Sequence, residues 1–186
     1  MLSDETLIKQ LQEGDLAAFD SLYQRYERRL FRFIYIYLQN REAAEDLFQE
    51  VFLAVLKDVQ RQPQIHHFSG WLFTIARNHC LSYLRTSKRS SQRLKNLVQE
   101  QPQEILRGEI SSDIALEFQL ANGAANKLMA WLSEEHLQVF LLKEVAELTY
   151  QEIAEIQQVP EGTVKSRLHY AIHTIRQRFR IQGEEA

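Results

Sequence analysis

Apolar side chains recur every three or four residues along most of this chain, which is the period of amphipathic α-helices. The pattern predicts four helices in the N-terminal half, over residues 4–12, 15–38, 41–60 and 70–88. Asp15, Asn40 and Ser69 stand where the N-caps of the last three are expected. Four such helices can close a hydrophobic core of their own.

A polar segment then interrupts the helical pattern. Residues 90–113 are polar, change charge sign midway and contain Pro102 and Gly108, which is typical of a linker. Further helices are expected over residues 124–131 and 133–146, and the helical pattern ends near Arg180. We therefore predict an all-α fold of two small helical domains joined by a flexible linker, with boundaries at 1–92, 93–115 and 116–186.

Residues 148–168, LTYQEIAEIQQVPEGTVKSRL, have the layout of a helix-turn-helix. Thr149 and Glu152 fit a capping box at the start of its first helix, and Ala154 is small where the two helices must cross. Pro160 suits the beginning of the second helix, whose polar side would lie in the major groove of DNA. The alternative is an amphipathic helical hairpin on the surface.

Composition narrows the classes of protein. The chain has 186 residues, 45% of them hydrophobic, with three prolines and six glycines, which favours helices. A single cysteine, Cys80, excludes an internal disulfide and fits a reducing compartment. The polar N-terminus is no signal peptide and no apolar run reaches the length of a membrane span, so a cytoplasmic protein without membrane insertion is expected.

The net charge of −3 does not suggest nucleic-acid binding, but its distribution does. Residues 71–95 contain six Lys or Arg and residues 163–180 contain five, and neither block contains an acid. Residues 96–125 between them carry five acids and one Arg. Two basic blocks, each beside a helical unit, indicate two contacts with phosphate, although a single such block would more simply be a solvated helix face.

The motifs in their order resemble bacterial sigma-70-type factors of the compact extracytoplasmic-function group. The matching segments are REAAEDLFQEVFLAVLK, FSGWLFTIARNHCLSYLR and SEEHLQVFLLKEVAELTYQEIAEIQQVPEGTVKSRLHYA, and the resemblance spans about residues 19–179 outside the linker. It implies a protein that binds the RNA polymerase core through its β′ and β subunits, recognises the −10 and −35 promoter elements and helps to open the DNA. It implies no enzyme activity and no cofactor.

The resemblance assigns the polymerase contact to the third helix. The residues implied are Glu45, Asp46, Gln49, Glu50 and Phe52. Of these, Asp46, Gln49 and Glu50 share one side of a helix. Their polar and acidic groups would meet basic groups on a coiled-coil arm of β′. Without the resemblance, a solvated acidic face would be the simpler interpretation.

The −10 contact is expected around the start of the fourth helix, because strand opening needs aromatic groups for unpaired bases and cations for phosphates. The candidates are Phe68, Trp71, Asn78, Ser82, Arg85, Lys88 and Arg89. The resemblance places a flipped base between the loop 61–67 and Asn78. For Trp71, a structural role near the site is favoured over direct contact with a base.

The −35 contact is expected on the second helix of the helix-turn-helix. The candidates are Thr163, Lys165, Ser166, Arg167, His169 and Tyr170, with Thr163 and Arg167 better placed for phosphates or for anchoring. Gln158 stands where the family has glycine, which would cost about 1 kcal/mol if the backbone is left-handed there. Tyr170 stands where arginine is frequent, so an unusual base preference is expected.

Two other classes compete with a sigma factor. One is a helix-turn-helix regulator that does not bind core polymerase; the other, an all-helical enzyme, has no supporting catalytic motif. Histidines 66, 67 and 79 and Cys80 lack a metal-binding framework, so no metal is predicted. Both DNA-binding surfaces are expected to be exposed in the free protein, and control by an anti-sigma protein is expected from the resemblance.

Overall fold

The computed structural model describes residues 2–62, 65–94 and 130–184, and this part of the chain is helical throughout, without a β-strand. The first domain holds α1 (Asp4–Gln12), α2 (Leu16–Leu38), α3 (Arg41–Val59) and α4 (Phe68–Leu94). The second holds α5 (Glu134–Phe140), a π-helical turn (Leu141–Val145), α6 (Tyr150–Gln157) and α7 (Glu161–Glu184). The all-α prediction is confirmed. None of the described helices is long and apolar enough to cross a bilayer.

Side-chain caps fix where α2 and α3 begin. Asp15 Oδ1 accepts a hydrogen bond from the Ala17 amide at 2.9 Å, and Asn40 Oδ1 accepts one from the Ala43 amide at 3.1 Å. Both predicted caps are confirmed. The predicted cap Ser69 instead lies in the first turn of α4, which begins one residue earlier at Phe68, because Ser69 uses its hydroxyl for a contact with the second domain.

The core of the first domain is built mainly between α2 and α3. Near the start of α2, aromatic rings of the two helices meet edge-on or tilted, with centroids 4.7 to 5.8 Å apart (Phe19, Tyr23, Phe48 and Phe52). Towards its end, every residue from 33 to 38 is buried. An amphipathic helix packed on one side does not bury six consecutive residues, and here the π-helical turn of the second domain also packs against α2.

Side chains of the first domain donate hydrogen bonds to the second domain. Arg29 donates to Glu147 at 3.0 Å, Arg77 to Gln138 at 3.0 Å and Ser69 to Glu152 at 2.5 Å. The described domains therefore form one packed body. The predicted linker (93–115) and the predicted helix at 124–131 lie almost wholly outside the described residues.

The single helix predicted over 133–146 is instead α5 followed by the π-helical turn. The amide of Ala146 donates to the carbonyl of Leu141, a π-type bond of 2.9 Å. The wider turn buries Leu141, Leu142 and Val145 together. Lys143 Nζ then donates to the Leu148 carbonyl at 3.0 Å and so fixes the chain that leads into α6.

The helix-turn-helix is formed by α6 and α7. Thr149 and Glu152 make the predicted capping box, with Thr149 N to Glu152 Oε2 at 2.7 Å and Glu152 N to Thr149 Oγ1 at 3.2 Å. The Pro160 carbonyl accepts from the Val164 amide at 3.2 Å and so begins α7. Gln158 between them is left-handed, at φ 54° and ψ 44°.

Replacement of Gln158 by glycine is expected to stabilise the protein by up to about 1 kcal/mol, because glycine has no Cβ to oppose a left-handed backbone. Thermal unfolding would show this as a rise of the midpoint by a few degrees. Gln158→Ala is the matched control, since it removes the same side-chain polar group but keeps the Cβ. A gain with alanine equal to that with glycine would contradict the backbone explanation.

Candidate polymerase and promoter interfaces

The outer side of α3 carries the predicted polymerase contacts. Asp46 and Glu50 are exposed, and Glu45 and Gln49 are half-buried. Glu45 accepts from Arg41 Nε at 2.7 Å, and Glu50 lies 3.3 Å from Nδ1 of His79 on α4. Four of the five candidates therefore reach the surface of one helix.

The fifth candidate, Phe52, does not. It is 5% exposed, and its ring packs against those of Tyr23 and Phe48 at 4.7 and 5.1 Å. Burial argues against a direct polymerase contact and makes Phe52 a support for the helix. Leu53 next to it is 64% exposed, and sequence reasoning missed it. Its position seven residues after Asp46 and three after Glu50 puts it on the same side of α3.

A groove of about 510 Å³ runs between α3 and α4 beside this side. Asp46 and Glu50 line it from α3, and His79, Ser82 and Tyr83 line it from α4. Ser82 was predicted for the −10 contact, but it faces this acidic groove. The structure thus places Ser82 with the polymerase candidates.

The aromatic residues at the start of α4 are less exposed than the −10 prediction requires. Phe68 is 2% exposed, and its ring packs against those of Tyr26 at 5.2 Å and Trp71 at 6.0 Å. Trp71 is half-buried, while Asn78 and Arg85 are exposed. The side chains of the candidates Lys88 and Arg89 lie outside the described part of α4.

A cavity of about 540 Å³ lies where the flipped base was expected. We call its first-domain side the −10 pocket, which consists of Ile65, His66, His67, Trp71, Thr74, Arg77 and Asn78. The opposite side is α6, with Glu152, Glu155 and Ile156. The helix-turn-helix narrows access to this pocket from one side, while His66, His67 and Asn78 remain exposed.

Glu152 connects the two sides. Burial would raise the pKa of its carboxyl, but hydrogen bonds from Ser69 and Thr149 outweigh this and hold the pKa below its usual range. A Cβ on Gly70 would lie only 3.7 Å from Glu152 Cγ, so the two helices touch closely. A carboxylate at the beginning of α4 occupies a position that also suits an anion such as a DNA phosphate.

The −35 candidates lie on α7, whose inner side is fixed by buried Val164, Leu168 and Ala171. The exposed candidates are Lys165, Ser166, His169 and Tyr170, and Thr163 and Arg167 are half-buried. Arg167 contacts Glu135 at 2.6 Å and Gln157 at 3.2 Å. It thereby ties α7 to α5 and α6, which fits the anchoring role that the sequence left open for it.

Lys165 is held by neighbours but remains accessible. Its Nζ lies 3.3 Å from Glu161 Oε2 and 5.4 Å from the centre of the Tyr150 ring. Lys143 approaches the same ring at 4.9 Å. Two lysines around one tyrosine concentrate positive charge at the junction of α6 and α7. Sequence reasoning did not single out Tyr150, because the two lysines come from separate elements.

Comparison with known proteins agrees with this architecture. The family model of sigma-70 region 2 matches residues 22–90, and that of sigma-70 region 4 matches residues 113–172. The ECF RNA polymerase sigma factor SigW of Bacillus subtilis (strain 168) is 29% identical over 93% of this chain and 95% of its own. The ECF RNA polymerase sigma-E factor of Haemophilus influenzae is 27% identical over 91% of this chain and 92% of its own.

Two solved structures share the fold. The structure of CnrH in complex with the cytosolic domain of CnrY has a TM-score of 0.72, with 17% identity over 96% of this chain and 97% of the other. The sigma factor RpoE in complex with the anti-sigma factor NepR from Bartonella quintana has a TM-score of 0.67, with 23% identity over 88% and 97%.

The two matched regions define the class of this protein, a promoter-specificity factor whose second domain carries a helix-turn-helix. The matches to regions 2 and 4 show that this chain belongs to the sigma-70 family, in its extracytoplasmic-function (ECF) group. It is a sigma factor that binds RNA polymerase core and directs promoter-specific transcription. The alternative of a regulator that does not bind core polymerase is not favoured.

Proposed function

We propose that α7 reads the −35 element through Lys165, Ser166, His169 and Tyr170. The observation that carries this assignment is the division of α7 into two sides. Val164, Leu168 and Ala171 are buried against the domain, while these four polar and aromatic candidates are exposed. A helix anchored on one side and free on the other can enter the major groove.

The −10 pocket would take an unpaired base once α6 has left it. His67, Trp71 and Asn78 supply stacking and hydrogen-bonding groups around the cavity, and Arg85 on α4 offers a charge for the backbone. Phe68 packs against Trp71 and would not itself stack on a base, since its side chain is buried.

Core polymerase would bind the exposed side of α3. Asp46, Glu50 and Leu53 present two carboxylates around one apolar side chain, an arrangement that combines charge complementarity with a small desolvated centre. The factor would act in the cytoplasm, where polymerase and promoter DNA are found. It would catalyse no reaction itself, since the relatives it matches are sigma factors and the polymerase supplies the chemistry.

An anti-sigma protein is the expected inhibitor in trans. The two solved structures of the same fold contain the cytosolic domain of CnrY in one case and the anti-sigma factor NepR in the other. For this chain the exposed side of α3 and the groove beside it are candidate surfaces, because an inhibitor that covers them would also block polymerase.

Run-off transcription with purified core polymerase on a library of randomised promoters tests the proposal. The factor is expected to select two elements with a fixed spacing and to start transcription downstream of the second. Duplex binding without any transcription, together with failure to bind core polymerase, would instead support the helix-turn-helix regulator.

Lys165→Ala is expected to weaken −35-dependent binding about tenfold, because it removes the most exposed cation at the junction of α6 and α7. Holoenzyme binding to a selected promoter, measured by fluorescence anisotropy, would show the loss. Lys9→Ala removes an exposed lysine from α1, which carries none of the proposed −35 contacts, and should leave −35-dependent binding unchanged. Equal binding by both variants would contradict the placement of α7 on the −35 element.

A further inference from the structure

α5 lies outside the helix-turn-helix, yet two consecutive residues of α5 hold two side chains of α7. Glu135 pairs with Arg167 at 2.6 Å. The imidazole of His136 stacks on the ring of Tyr170, with centroids 5.8 Å apart and 15° between the planes. His136 lies in a matched segment but was not among the candidate −35 contacts, because it comes more than thirty positions before Tyr170 in the chain.

Among the described residues, no second ring of α5 stacks on Tyr170. Its side chain is 61% exposed, and the only other ring contact recorded for it within the described residues is an edge-on one with His169 at 6.4 Å. An exposed tyrosine without a stacking partner would sample several rotamers, and binding would have to order it. The need to order one such side chain weakens binding about 2- to 10-fold.

We propose that His136 is a positioning residue for −35 recognition, which holds Tyr170 in the orientation in which it contacts a base. The proposal rests on the function given to α7 above. His136 stacks on Tyr170 with an offset, and most of the Tyr170 side chain remains exposed to DNA. An apolar ring face in the major groove suits the methyl group of thymine, so thymine is the base that this pair would favour.

The neighbouring cations Lys165 and Arg167 do not determine the base preference at the position of Tyr170. Arg167 is engaged by Glu135 and Gln157, and Lys165 lies on the side of α7 towards Tyr150. At the position of Tyr170 the base preference therefore depends on an aromatic pair that joins α7 to α5. Because imidazole and a phenyl ring can both stack on tyrosine, the role requires a flat ring at position 136 and no charge.

The test is selection of −35 sequences by holoenzyme, made from the full chain and core polymerase, out of a duplex library randomised upstream of a fixed −10 element. Tyr170→Ala should lose the preference for thymine at one position. His136→Ala should weaken the preference at that same position and lower the affinity for the selected promoter about 2- to 10-fold. His136→Phe should restore both to within about twofold.

Thermal unfolding of each variant controls for loss of the fold. Three results would overturn the proposal: an unchanged preference in His136→Ala, an equal loss on all sequences without a change in preference, or no rescue by phenylalanine. If the unmodified factor selects no upstream element at all, the assignment of α7 to −35 recognition fails first and the role of His136 fails with it. If the unmodified factor prefers thymine, Tyr170→Ala loses this preference and His136→Ala keeps it, then only the role of His136 is overturned.

Discussion

A disulfide between positions 70 and 152 is expected to abolish transcription from a two-element promoter, and reduction is expected to restore it. The double variant Gly70→Cys, Glu152→Cys suits this bond, because a Cβ at position 70 would lie 3.8 Å from Glu152 Cβ. The mean separation of these atoms in disulfides is about 3.8 Å. The native Cys80 is fully buried and burial raises the pKa of its thiol to about 12, so it should not compete.

The expected loss of transcription follows from the distance that the two DNA-binding sites have to span. Glu152 touches the −10 pocket, and Lys165 comes thirteen residues later in the sequence. Even an extended chain would place these two residues no more than about 45 Å apart. The −10 and −35 elements are roughly 25 base pairs apart, or about 85 Å along the duplex axis. With the two sites assigned as proposed, the packed arrangement would not reach both elements, and we expect the domains to separate on the promoter.

The measurement is abortive or run-off transcription with oxidised and reduced protein. Oxidised protein should be at least about 100-fold less active, and addition of dithiothreitol should return it to the level of the unbridged chain. Each single cysteine variant is a control, because it carries the same loss of side chain without the bond. Full activity of the oxidised protein would show that the two elements are bound without separation of these helices.

Leu53→Lys is expected to weaken the affinity for core polymerase at least tenfold. The substitution removes the only strongly exposed apolar side chain among the described residues of α3, and it introduces a positive charge where a basic partner surface is expected. Truncation of a central apolar contact and charge repulsion each cost on the order of 1–2 kcal/mol.

Leu16→Lys is a matched control, since Leu16 is 69% exposed at the start of α2 and is not on this side of α3. Both substitutions introduce the same charge in place of the same residue at an exposed site. Binding to core polymerase by surface plasmon resonance should separate them by the full tenfold. If both variants bind core polymerase as tightly as the unmodified chain, Leu53 is not part of the interface. If both lose affinity equally, the added charge alone explains the loss.

Local patterns in the sequence predicted local structure well. Asp15, Asn40 and the pair Thr149 and Glu152 cap their helices as expected, because a cap depends on residues within one turn. The resemblance, which has glycine at position 158, raised a left-handed backbone there as a condition, and Gln158 is left-handed. These features depend on neighbours in the chain and not on the tertiary fold.

The features that the sequence did not predict depend on contacts between distant segments. The sequence predicts Ser69 as a helix cap, but its hydroxyl donates to the carboxylate of Glu152, eighty-three positions later. The continuous burial of residues 33–38 has the same origin, because a second domain covers the side of α2 that would otherwise face solvent. The burial of Phe52 could have been foreseen, since it follows Phe48 by one helical turn on the side that packs against Phe19 and Tyr23.

The double use of Glu152 lets the two domains part without loss of the cap of α6. Its Oε2 accepts from Thr149 and stays within the helix-turn-helix, while its Oε1 accepts from Ser69 of the other domain. When the domains part, only the second bond is exchanged for water, and the start of α6 keeps its cap. A hydrogen bond to a charged group contributes about 1.5–3 kcal/mol net. Loss of the Ser69 bond is therefore one part of the cost of separating the domains, beside the bonds from Arg29 and Arg77 and the packing of the π-helical turn on α2, and the capping box keeps the helix-turn-helix folded when they separate.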